Sequence, residues 1–60
     1  MPKLQFNVFD LEDQFGDREF IGQEWLTEGE AARKCKRGLM LQGPTGEFFE
    51  EPNQIERLFA

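Results

Sequence analysis

The chain has no histidine, no serine and no tyrosine, and Cys35 is its one cysteine. Each absence removes a class of chemistry. Serine and Cys–His nucleophile pairs cannot be assembled, and His or Tyr acid–base work has no carrier. A Cys/His zinc site needs more ligands than one thiolate. A single thiol closes no intramolecular disulfide, so the 60 residues have to be held by packing or association. No apolar run approaches the ~20 residues of a membrane span. Met1-Pro2-Lys3-Leu4 does not open like a signal peptide. These absences predict a cytoplasmic, non-enzymatic protein with no cofactor, no metal and no membrane association.

Seven Phe and one Trp supply the material for a core, at ~150–250 Å² of burial each. So aromatic a chain is not a disordered acidic segment. Residues 3–10 alternate Leu4, Phe6 and Val8 with Lys3, Gln5 and Asn7, the period of a strand with one buried face. Gly16-Asp17 marks a turn. Residues 18–25 read as a second strand, with Gly22 the mark of a bulge or of a close backbone approach. Thr27 and Glu30 have capping-box spacing, with Leu26 and Ala31 as the flanking staple. Acids at 28 and 30 and bases at 33, 34, 36 and 37 match the helix dipole. Gly38 follows as the left-handed stop. Ala31, Ala32 and Cys35 form a narrow inner face, which gives Cys35 a core role although Lys34 and Lys36 flank it.

Leu39–Gln42 is a short buried strand, Gly43-Pro44-Thr45-Gly46 a tight turn, and Glu47–Glu50 its hairpin partner, stopped at Pro52. Residues 53–59 fit a helical face through Ile55, Leu58 and Phe59, capped by Asn53, or a strand through Ile55 and Phe59. The strand is favoured, because so short a helix is not stable alone. The expected fold is one α+β domain over 1–60. It has a small antiparallel sheet of about four strands, ordered β-β-α-β-β, with one helix over about 28–37 on one face. Phe9, Trp25 and one of Phe48 and Phe49 are candidates for the uncovered face, because strand neighbours point opposite ways.

The net charge of −5 is unevenly spread. Residues 10–30 hold eight acids against Arg18 alone, whereas Arg33, Lys34, Lys36 and Arg37 cluster at the helix end. Counted from Asp10, a calcium loop would need Gly where Phe15 stands and Glu where Ile21 stands, so that pattern fails. No Gly-rich phosphate loop is present, since the Gly43–Gly46 turn lacks the lysine and the following helix.

Leu26-Thr27-Glu28-Gly29-Glu30-Ala31-Ala32-Arg33 resembles the first-helix opening of excisionase-like and MerR-type winged helix-turn-helix domains. The Gly43–Phe49 hairpin is similar to their wing. That resemblance implies DNA contact by a recognition helix, but no second helix fits between Arg37 and Leu39, and the means of major-groove reading is missing. In size and charge the chain is similar to small phage-encoded proteins that bind host enzymes.

The function expected is that of a small acidic inhibitor or regulator docking on a basic surface of a larger, nucleic-acid-handling protein. Asp10, Glu12, Asp13, Phe15, Asp17, Glu19 and Trp25 are the partner-binding candidates. One alternative is a DNA-binding accessory protein using Arg33, Lys34, Lys36 and Arg37, although the acidic balance disfavours nucleic acid. Another is a self-associating dimer using sheet edges and Phe48 or Phe49.

Overall fold

A computed structural model of the protein describes residues 2–60. Its elements are strand β1 (Leu4–Phe9), strand β2 (Phe20–Leu26), helix α1 (Glu28–Lys36), strand β3 (Met40–Gln42), strand β4 (Phe48–Phe49) and helix α2 (Pro52–Phe59). The four strands form one antiparallel sheet in the order β2-β1-β3-β4. Among the described residues no helix is long and apolar enough to cross a membrane.

The alternation in β1 does what its period requires. Phe6 and Val8 are buried on the inner face, and Gln5, Asn7 and Phe9 point outward. β1 is central because β2 pairs one of its edges and β3 the other. The β1–β2 register slips between Val8 and Phe9, so that Val8 faces Gly22 and Phe9 faces Phe20. Ile21 is the extra residue, which places a bulge beside Gly22, one of the two readings the sequence allows there.

α1 begins with the predicted capping box. The Glu30 amide donates to Thr27 Oγ1 at 3.3 Å, and the Thr27 amide donates to Glu30 Oε1 at 2.9 Å. At its other end Gly38, with φ +92°, closes the helix. The Gly38 amide donates to the Cys35 carbonyl and the Leu39 amide to that of Lys34, the two bonds of a Schellman stop. The hairpin between β3 and β4 turns through Gly46, whose amide donates to the Gly43 carbonyl at 3.0 Å.

The C-terminal segment is a helix, not the strand favoured from sequence. Pro52 does not stop a strand there but opens α2, where a missing amide costs nothing. Glu51, not Asn53, is the residue before the first turn. The Gln54 side chain reaches back to accept from the Glu50 and Glu51 amides at 2.8 and 3.0 Å. Eight residues are too few for an isolated helix. α2 forms because its apolar stripe is covered: Ile55 is fully buried, and Leu58 and Phe59 pack against the core. The sheet therefore carries two helices on its inner face.

The core is Phe6, Val8, Leu26, Ala31, Cys35, Leu41, Phe49 and Ile55. Phe6 sits at its centre, with its ring edge-on to Phe49 at 6.4 Å and tilted to Phe59 at 6.3 Å. Small residues at 31 and 35 let α1 lie close to the sheet, and Leu26 and Ala31 are both buried as the staple requires. Each fully buried side chain of the size of Phe6, Leu41 or Ile55 contributes ~1.5–3 kcal/mol.

Candidate interaction surfaces

The acid-rich segment 10–19 links β1 to β2 and is tied down by its own hydrogen bonds. The Asp10 amide donates to the Glu19 carbonyl at 2.7 Å, and the Asp13 amide to the Asp17 carbonyl at 2.8 Å. Asp13 Oδ1 accepts from the Phe15 and Asp17 amides at 2.8 and 2.9 Å. Gly16, with φ +83°, completes the tight turn. Arg18, the cation of the loop, donates from Nη1 to the Asp10 carbonyl at 3.2 Å and the Gly38 carbonyl at 3.0 Å. It stitches the loop to the end of α1. Leu11 packs there too, with Cδ2 only 2.7 Å from where a Cβ on Gly38 would stand.

This bonding divides the sequence candidates into two kinds. Asp13 is a turn-forming residue, and Asp10 holds the Leu11 amide at 2.7 Å. Glu12, Asp17 and Glu19 are exposed, with their carboxylates unengaged among the described residues. Phe15 stands at the tip with 77% of its surface exposed. Trp25 does not join them. It lies five residues along β2 from Phe20, ~17 Å at the strand rise, and faces Gln5 at the far end of the sheet. Among the described residues no three His, Cys, Asp or Glu side chains converge as metal ligands would.

The basic candidates on α1 are interleaved with acids. Lys34 Nζ pairs with Glu24 Oε2 at 3.5 Å. Arg33 Nε donates to the Gly29 carbonyl at 3.5 Å. Arg33, Lys34 and Arg37 line one shallow depression with Glu24 and Glu30. A phosphate there would meet the carboxylates of Glu24 and Glu30 among the cations, and Glu30 is held ionised: its hydrogen bonds to Thr27 lower its pKa below the ordinary 4.5. Cys35 is a core residue, its thiol pushed up by burial and then by Glu51.

The surface that sequence reasoning found only in part is the outer face of the sheet. Its strand residues are Gln5, Asn7, Phe9, Phe20, Gln23, Trp25, Met40, Gln42 and Phe48, and none is ionisable. Phe49 is buried and Phe48 exposed, which resolves the pair. Phe9 lies edge-on to Phe20 at 5.6 Å and tilted to Phe48 at 6.0 Å, a row of three rings across the sheet. Beside the row is a patch of amides: Gln5 donates to Gln23 at 3.1 Å and Asn7 to Gln42 at 3.0 Å.

Compared with protein-family models, with curated proteins and with solved structures, the chain has no match.

Proposed function

We propose that this chain is a non-enzymatic interaction module, a small acidic regulator that docks its 10–19 loop on a basic surface of a larger protein. What carries the reading is Phe15, 77% exposed at the tip of a loop braced by hydrogen bonds at both ends. A large apolar ring on a braced loop meets a partner with little ordering cost, as a preorganised anchor does. Glu12, Asp17 and Glu19 give the same loop exposed negative charge, which speeds encounter with a basic surface and rejects acidic ones. Proteins that handle nucleic acid present such surfaces, and carboxylates can occupy the places of phosphates. With no Ser, His or Tyr, and its one thiol buried, the chain acts by contact.

The test is affinity capture from lysate with the wild-type chain, Phe15→Gln, and a Glu12→Gln/Asp17→Asn/Glu19→Gln variant. A stoichiometric partner is expected on the wild type, retained at least ~30-fold less by Phe15→Gln, the scale of an interface hot spot. The neutralised loop should bind more slowly, and raising salt should weaken the wild-type complex. Equal capture by all three chains, or no stoichiometric partner at low salt, refutes the reading.

A further inference from the structure

The outer face of the sheet poses a question the acidic loop does not answer. One residue in three of this chain is charged, yet nine strand residues on that face include no Asp, Glu, Lys or Arg. Charges begin only beyond the strand ends, at Lys3, Asp10, Glu19, Glu47 and Glu50. A face kept merely soluble would carry some of them, as the rest of the surface does. Instead it exposes Phe20, Trp25 and Phe48, each more than half accessible, with Phe9 between two of them.

We propose that this face is the interface of a two-fold homodimer. Three properties select a second copy of the chain as the occupant. First, a two-fold interface has to complement itself. Carboxylate or ammonium faces cannot do that, whereas carboxamides can, since each carries both donors and an acceptor. The Gln5–Gln23 pair leaves Gln5 Oε1 and Gln23 Nε2 without partners among the described residues, one acceptor and one donor side by side. Second, two copies each of net charge −5 repel over most orientations. Face-to-face contact of the uncharged sheets brings no like charges into direct apposition. A basic partner would gain nothing from this face, and a nucleic acid would find no cation on it.

Third, the size suits a weak symmetric contact. Four strands ~4.8 Å apart and about five residues long at ~3.4 Å each make a face on the order of 300 Å² in projection. Two copies then bury less than the ~1,200 Å² of a standard interface, the range of weak and transient association. The expected dissociation constant is therefore about 10 μM to 1 mM. Sheet-to-sheet contact would stack the Phe20–Phe9–Phe48 row on its mate at the ~10 Å separation of packed sheets. The proposal is independent of the docking role of the loop, which lies outside this face. The dimer would present two such loops, and so a bivalent ligand.

Sedimentation equilibrium of the wild-type chain from 10 μM to 2 mM, paired with dilution-dependent amide NMR, tests it. The weight-average mass is expected to rise from 7.0 kDa toward twice that value. Dilution shifts should concentrate on the side-chain amides of Gln5, Asn7, Gln23 and Gln42 and the rings of Phe9, Phe20 and Phe48. Gln23→Glu, nearly isosteric and at an exposed position, puts a carboxylate from each copy into a contact that holds no cation and should weaken the dimer at least tenfold. Phe15→Gln should leave it unchanged. Raising NaCl from 50 to 500 mM should leave association unchanged or tighten it. A monomer at 2 mM overturns the proposal. So do shifts confined to the free edge of β2, or weakening by salt, which would signal an acidic loop pairing with the α1 cations of another copy. If Gln23→Glu fails to fold, the wild-type shift map and salt series decide the matter alone.

Discussion

Ile55 is the residue on which the C-terminal helix depends. It is fully buried, and it is the single buried residue of α2. Ile55→Ala removes three carbons from a fully buried site in the cluster that also holds Phe6, Phe49 and Cys35. Such deletions cost ~2–5 kcal/mol. A 60-residue chain has roughly 3–9 kcal/mol to lose, so this one change removes a large share of it. At an unfolding entropy of ~2.1 cal/mol/K per residue, each kcal/mol moves the midpoint by about 8 °C. Ile55→Ala should therefore melt at least ~16 °C lower. Ile55→Val, at ~0.5–1.5 kcal/mol, should melt ~4–12 °C lower. Glu56→Ala, on the exposed side of α2, should change the midpoint by less than about 4 °C.

Far-UV circular dichroism reads the melt, and Cys35 supplies a second, local measurement. Its thiol is buried, 3.8 Å from the Phe49 carbonyl, and should react with an aromatic disulfide only when the core opens. A loss of 2 kcal/mol raises that labelling rate ~30-fold. If Ile55→Ala melts within 4 °C of wild type and leaves Cys35 equally protected, α2 does not close the core, and the account of the helix is wrong.

Two further changes examine the ends of α1. Glu30 has a folded-state pKa below the ordinary 4.5 because its carboxylate is hydrogen-bonded first by the Thr27 amide and then by the Thr27 side chain. Its contribution is thus complete above the unfolded value and is lost as pH falls through the lowered one. The melting difference between wild type and Glu30→Gln should accordingly shrink on acidification from about pH 5 to pH 3, and parallel curves across that window would contradict the assignment. Thr27→Ala removes the other half of the box and should cost ~1 kcal/mol, about 8 °C. Gly38→Ala meets two penalties, a left-handed φ of +92° and Leu11 Cδ2 at 2.7 Å, and should cost more than the ~1–2 kcal/mol of the backbone alone. Adding Leu11→Ala should relieve the contact and leave the backbone share. A neutral Gly38→Ala would rule out the tight seating of the acidic loop on α1.

The elements that could be recognised in the chain are those whose causes lie within a few residues of each other. Thr27 and Glu30 are three apart, Gly38 follows the last helical turn, and Gly43 and Gly46 bond across one turn. Segment 53–59 is ambiguous by itself, since its seven residues fit both a strand period and a helical face. Pro52 and the back-reaching Gln54 were the signals for a helix start, and docking against the core supplied the rest. Trp25 belongs to the acidic stretch by composition alone. Strand geometry carries it away from Phe15, because β2 runs from the loop to the far end of the sheet.

Sequence alone determined the alternation of β1, the capped helix, the turn residues, the charge segregation and the narrow chemical repertoire. All of these follow from residue type and short spacing. Tertiary structure decided which of two adjacent phenylalanines is inside: Phe49 of β4 pairs with the buried Leu41 of β3 and is itself buried, and that turns Phe48 outward. It also decided that Gln5, Asn7, Gln23 and Gln42 share one uncharged face with the aromatic row. They come from three strands, and only the hydrogen-bond register between strands brings residues as far apart as Asn7 and Gln42 side by side.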